Sequence, residues 1–405
     1  MIRTKISFLD RYVIMMSLIP ILQSYGFKTF PWITFADIWL IIFLIAFFLK
    51  DTAGNRCEKN ICILIIYILA QAVITVALDN SSDIVDTLGT AARLSLLMLP
   101  VGLVIPNNSD NYTVLKPFRI VGVISSFYGI LQFVLGNFFR ISLSPYIPFL
   151  PILRIGMDTQ QLGWINYGWL VRARSWFPEP ASFAIYLLLV LSMELFILKD
   201  IKKIWMTSLI YICGIFVANS SLGTMGLLII VFFVLLNWFF TRKKHISKMI
   251  AVLLIIFIPI IVLFVIKTGY IGRFMEHTFV NGSILQQSHF ATVGNVFKSE
   301  SNIVQIIFGH GLQQIDDNYL PGWIRIYYAL GIIGIFLYLV FFIDLFRKSS
   351  SGKRSIILLF VILNIGTEII VGCYFLLFVS LLALLNEEES CNTNIIERGN
   401  KKCQK

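Results

Sequence analysis

The chain has 405 residues, 58% of them hydrophobic and 14% charged, with a mean hydropathy of +0.83 and a net charge of +11. A soluble domain carries about 25% charged residues, so the composition argues against two or three ordinary soluble domains and for one polytopic membrane domain over 1–405. Where the basic residues lie, and not their sum, decides whether nucleic acid is a partner.

The N-terminus carries Arg3, Lys5 and Arg11 ahead of an apolar run, but no small-residue cleavage site follows, so the run reads as a retained first helix. A bilayer-spanning helix needs about 20 mostly apolar residues. Candidates lie at 11–27, 33–49, 61–78, 88–106, 117–136, 180–198, 203–218, 221–240, 248–266 and 323–346. A last run, 355–386, is too long for one crossing and is interrupted by Gly366, Thr367 and Glu368. It predicts two short helices. The expectation is an all-α polytopic membrane protein of about 12 transmembrane helices.

Lysine and arginine concentrate on the cytoplasmic side of a bacterial inner membrane. With the N-terminus inside and every helix reversing the side, the inner segments hold 23 basic residues and the outer ones 9, and Arg93, in mid-helix, completes the 33. The short acidic loop "DNSSDIVD" falls outside. Both termini are therefore predicted to be cytoplasmic, with 387–405 as a tail, and the basic excess needs no nucleic acid to explain it. Cys62, Cys213 and Cys373 lie in apolar runs, and no C-x-x-C or zinc spacing occurs, so the six cysteines are expected to be free thiols.

Inner connections are short, whereas 137–179 and 267–322 form two long outward loops, rich in Trp, Tyr, Phe and Ile. Loops of that length are usually functional or disordered, and the aromatic content argues for folded ones.

The stretch "RARSWFPEPASFAIYL" closes the first loop. Pro180 suits the first turn of a helix, which places Glu179 at its cap. The free amides of such a helix start attract anions. Arg174 supplies a planar fork that matches phosphate oxygens. Two readings stand side by side: an anion site with Arg174 and Arg172, or a cap in which Glu179 merely pairs with Arg174. Arg93, in "TAARLSLLMLPVGLV", is a costly charge at membrane depth. It either faces a substrate cavity or pairs with Glu194 or Glu368. The second loop ends "IIFGHGLQQIDDNYLPGWIRIYYALGIIGIF", where Gly309 and Gly311 permit a tight turn around His310. Asp316, Asp317 and Asn318 stand before the next helix, either as a solvated cap or within reach of a site at the membrane surface. The aromatic residues near 164–176 and 319–328 suit an interfacial belt or stacking on sugars. No Walker A loop, dinucleotide fingerprint, H-E-x-x-H or D-x-D occurs, which argues against nucleotide-sugar chemistry at a metal and against ATP-driven transport.

Three of these stretches carry a family resemblance. "RARSWFPEPASFAIYL", "NSSLGTMGLLIIVFFVLL" and "FGHGLQQIDDNYLPGWIRIYYALGIIGIFLYLVFF" resemble the O-antigen polymerase and ligase families of bacterial surface-polysaccharide assembly, over roughly 170–345. The resemblance implies a GT-C-like glycosyltransferase that works outside the inner membrane without metal or other cofactor. Its donor would be an undecaprenyl-pyrophosphate-linked oligosaccharide. Membrane lipid, a chain-length regulator and a flippase of the same pathway would be its partners. Carried onto this sequence, Arg174 with Arg172, Arg273 and Arg93 would hold the pyrophosphate. Glu179 or Asp317 would accept the hydroxyl proton, and His310, Asn318, Tyr319 and Arg325 would contact the acceptor. The ligase branch commonly has a histidine before the loop-ending Asn. Here Asp317 precedes Asn318, a departure that favours a polymerase. A lipid-linked oligosaccharide flippase is the alternative from another class. It should show internal repeats and short loops.

Overall fold

The structure is a computed structural model that describes residues 8–29, 33–49, 58–78, 84–102, 110–153, 171–198, 201–241, 302–312 and 320–385. The described residues are about 79% helical and contain no strands. The helices are α1 (Phe8–Leu22), α2 (Phe35–Leu49), α3 (Lys59–Leu78), α4 (Ile84–Gly102), α5 (Asn111–Val134), α6 (Pro180–Ile197), α7 (Ile201–Ala218) and α8 (Ser221–Thr241). They continue with α9 (Ile303–Phe308), α10 (Gly322–Lys348), α11 (Ser351–Leu363) and α12 (Cys373–Leu384). The expected run 248–266 and the tail 387–405 lie outside the described residues.

Among the described residues, five helices are long and apolar enough to cross a membrane: Lys59–Ala77, Ile84–Val101, Asn111–Phe139, Pro180–Ile197 and Gly322–Lys348. The chain is thus an all-α, membrane-embedded protein. The interruption expected inside 355–386 is real: residues 364–372 separate α11 from α12 and contain only a three-residue 3₁₀ turn, Ile369–Val371. At about 1.5 Å per residue, neither 13-residue α11 nor 12-residue α12 is as long as a bilayer core is thick, about 30 Å.

α6 is the central helix. Every residue from Phe183 to Glu194 is buried, as expected of a helix that is apolar all round. It packs on α5, α7, α8 and α11. In a membrane the helix–helix contact is driven by close packing rather than by escape from water, so small residues gather there. Gly129 of α5 meets Phe183, Gly214 of α7 meets Leu187, and Gly226 of α8 meets Leu188.

Polar contacts sort the helix ends into two layers. At the lower end Lys348 of α10 bonds Asp344 at 2.6 Å and approaches Glu58. In the last turn of α6, Glu194 forms a buried pair with Arg119 of α5 at 2.7 Å, with Thr207 and Tyr211 of α7 donating to the same carboxylate at 2.6 and 3.0 Å. The carboxylate is fully enclosed and met by three donors. This corrects one expectation: Arg119, not Arg93, is the partner of Glu194. At the upper end lie the starts of α6, α10 and α12 and the ends of α5, α7 and α11, joined as set out below.

Candidate functional site

The segment 171–179 enters α6 as an extended strap held by two helix ends. α5 widens into a π turn, Leu135–Phe139, and its Asn137 brackets Val171, accepting from the backbone N–H at 2.7 Å and donating to the carbonyl at 3.2 Å. From α7, the Val217 carbonyl accepts from Ala173 N–H at 3.0 Å, and the Ala218 carbonyl accepts from Arg172 Nε at 3.3 Å. Arg172 thus satisfies a carbonyl at a helix C-terminus, where a cation is favoured. Gln132 does for Ser175 what Asn137 does for Val171, at 2.8 and 3.3 Å. Ser175 has φ 53°, a left-handed conformation uncommon for a residue with a side chain. Such strain persists only where the surroundings impose it and often marks functional segments.

That turn aims Arg174. The residue is 6% exposed. Nη1 donates to the Pro178 carbonyl at 2.6 Å, and Nη2 donates to the Tyr146 hydroxyl at 2.8 Å, with the guanidinium 5.0 Å from the Tyr146 ring centroid. Trp176 stacks on Tyr128 at 4.6 Å. Glu179 is the N-cap residue with Pro180 following, as the sequence predicts, but its carboxylate does not bond a helix amide. It is exposed and accepts from Ser182 Oγ at 3.2 Å. Pairing of Glu179 with Arg174 is replaced by these two local arrangements.

From Ser182 the upper layer continues into the hairpin turn between α11 and α12. The Ser182 carbonyl accepts from the Tyr374 hydroxyl at 2.6 Å. The turn itself is tied by Asn364, fully buried, whose Oδ1 accepts from Ile370 N–H and whose Nδ2 donates to Phe360 O, both at 2.7 Å. On its other side it grips the start of α10. Gly322 N–H donates to Thr367 O at 2.7 Å, Leu320 N–H to Glu368 Oε1 at 3.2 Å, and Trp323 Nε1 to Val361 O at 3.1 Å. Arg325, one turn into α10, lies in the field of Glu368, Tyr328 and Asp86. Burial raises the Glu368 carboxyl above the ordinary carboxylate range. Arg325 and the Leu320 N–H oppose that shift, and Glu179 adds to it. Glu179, Glu368 and Arg325, from three separate elements, therefore share one electrostatic neighbourhood.

No protein-family model and no curated protein matches the chain.

The Gly309–Gly311 turn docks deeper than expected. α10 is broken at Gly331, with φ 65° and ψ −166°, a region open essentially to glycine alone. The break lies nine residues from the helix start, about 13 Å down at the helical rise. Non-helical backbone at membrane depth must find partners within the protein, and α9 with the Gly309–Gly311 turn provides them. His310 N–H donates to Tyr328 O at 2.7 Å, Gly311 N–H to Ala329 O at 3.0 Å, and Tyr67 of α3 to Leu330 O at 2.6 Å. The approach is too close for side chains: a Cβ on Gly309 would sit 2.3 Å from Ala329 O, and one on Gly331 2.3 Å from Ile307 O. The His310 ring stacks on Tyr328 at 4.4 Å and 2°.

Arg93 pairs with neither Glu194 nor Glu368. Its Nε bonds Asp37 Oδ1 at 3.2 Å. Asp37 also closes a capping box at the start of α2, accepting from Thr34 N–H and Oγ1 at 2.9 and 2.7 Å, while Thr34 Oγ1 accepts from Asp37 N–H. The pair reaches Cys373 in the first turn of α12, beside Tyr374. Arg174, Arg172, Glu179, Arg325 and His310 thus all lie in the upper layer or just beneath it. Arg273, Asp317, Asn318 and Tyr319 lie outside the described residues.

Two contributors went unnoticed in the sequence reading: Glu368 as a neighbour of Arg325, and the Gly331 break. The first had a signal in the acid that interrupts an apolar run, and the second in the repeated glycines of "ALGIIG".

Proposed function

We propose that the chain is a polysaccharide polymerase that joins undecaprenyl-pyrophosphate-linked repeat units into O-antigen or capsular polysaccharide at the outer face of the bacterial inner membrane. The observation that carries this reading is the convergence of the 171–179 strap, the α11–α12 turn and the α10 start, with their arginines and glutamates, at one end of an apolar bundle. A pyrophosphate leaving group at a membrane surface needs cations to stabilise the charge that develops on it, and guanidinium groups supply them. Arg174 is the anion ligand. It takes the pyrophosphate by exchanging its bond to the Tyr146 hydroxyl, and the helix start at Pro180 adds its partial positive charge. Arg172 and Arg273 assist, and Arg93 is held in reserve by Asp37. His310, Asn318, Tyr319 and Arg325 bind the acceptor glycan. A carboxylate of this layer takes the hydroxyl proton. The reading includes about twelve crossings, a GT-C-like arrangement and cytoplasmic termini, with a flippase supplying substrate and a chain-length regulator acting alongside.

Deleting the gene tests it. The expected surface glycan carries a single repeat unit where the parent strain shows a ladder of lengths. Full-length polymer accumulating on the carrier lipid would instead mark a ligase, and single units trapped on the cytoplasmic face a flippase.

A further inference from the structure

We infer that Glu368 is the general base of this site, taking the proton from the sugar hydroxyl that attacks the lipid-linked donor; the inference rests on the polymerase reading above. Glu368 stands in the 364–372 turn, which is fastened to α10 through Gly322 N–H to Thr367 O and to α6 through Tyr374 to Ser182. The turn therefore holds one carboxylate at a set position between the two helix starts that bear Arg325 and Glu179. Its Oε1 accepts the Leu320 N–H, which fixes the orientation of the group.

Three features separate it from the other acids nearby. Glu368 is partly buried, and burial raises its proton affinity above its ordinary value, the direction that favours a proton acceptor. Arg325, on the acceptor side of the site, lies in its electrostatic field and steadies the ionised carboxylate. Glu179, by contrast, is exposed to water and already takes the Ser182 hydroxyl, which leaves it to position the helix start. In the step, the acceptor oxygen bonds to the anomeric carbon while its proton passes to Glu368. The bond from that carbon to the pyrophosphate oxygen breaks, and the electron pair leaves with the lipid pyrophosphate.

The test uses membranes containing the full chain, supplied with lipid-linked repeat units, at matched protein level. Glu368→Gln keeps an acceptor for Leu320 N–H and removes only the basic carboxylate. A general base contributes about 100-fold or more, so the turnover rate is expected to fall at least that far with KM for the donor nearly unchanged. Glu368→Ala should regain activity with added formate, a response that a merely structural carboxylate does not give. A Glu368→Gln rate close to wild type, a loss confined to KM, or no rescue by formate overturns the inference. If Glu368→Gln fails to accumulate, Glu368→Asp retains the charge beside Arg325 and draws the oxygen back by roughly 1 Å, a misplacement that costs about 100-fold; an undiminished rate from that variant also overturns it. Absence of product with the wild-type chain refutes the polymerase reading itself, and the base with it.

Discussion

Glu194→Gln removes the charge from the most enclosed carboxylate in the described bundle. Its partner Arg119 has a side chain only 10% exposed, and Glu194 has none, so solvent screens the pair little. Breaking a buried ion pair from one side costs about 3–5 kcal/mol, chiefly because the other charge remains buried. Glutamine still accepts from Arg119, Thr207 or Tyr211, and Arg119 keeps its contact with the Tyr112 ring at 4.7 Å. The low end, about 3 kcal/mol, is therefore expected, equivalent to a factor of about 100 or more in the unfolding equilibrium. Glu194→Leu, with no acceptor, should approach the upper end. The double replacement Arg119→Met with Glu194→Leu should recover much of the loss, since an apolar pair of similar volume often matches a buried ion pair. The assay is reversible unfolding of the purified chain in mixed micelles, read as a four-variant cycle. A single-variant loss below about 0.5 kcal/mol, or a double variant no better than the worse single, would refute the reasoning that the pair holds α5, α6 and α7 together.

Three further outcomes follow from the upper layer. Arg174→Lys keeps the charge, but one ammonium cannot reproduce the planar fork that spans Pro178 O and Tyr146. A charge-assisted bond is worth about 1.5–3 kcal/mol, so the variant should be measurably less stable yet present in the membrane, with glycan ladders shortened to a few units; full ladders would remove Arg174 from the site. Gly331→Ala forces a side chain into a glycine-only conformation against Ile307 O, at about 1–3 kcal/mol for the strain alone. In a background lacking native cysteines, a His310→Cys probe should then react faster with a water-soluble maleimide, and an unchanged rate would mean that the 309–311 turn does not depend on the break. Reporter fusions at 245 and 350 should report inside and those at 160 and 295 outside, as the 23 to 9 distribution requires; an outside signal from a fusion after 390 would show that 355–386 crosses once.

What the sequence revealed divides by physical range. Apolar length is a local property, so the helix starts at 180 and 221, the start at 322 to within one residue, and the interruption near Glu368 could be read directly. Proline after Glu179 fixed the cap residue for the same reason. Partner choice is not local: Arg93 meets Asp37, 56 positions away, and Arg119 meets Glu194, 75 positions away. Nothing in spacing distinguishes these from the rejected pairings. The FGHG turn illustrates the middle case. Its glycines signalled a special backbone, but the need arises from a second chain segment, the broken α10, whose carbonyls His310 and Gly311 satisfy.

The most direct measurement of the central claim is reconstitution of the purified full chain in vesicles with undecaprenyl-pyrophosphate-linked repeat units as the only sugar source, in the presence of EDTA and without nucleotides. The account predicts lipid-linked products growing in steps of one repeat unit, with release of undecaprenyl pyrophosphate in equal number to the linkages formed. Intact repeat units after incubation with active, folded protein, or oligomers formed only when a divalent metal is restored, would contradict it.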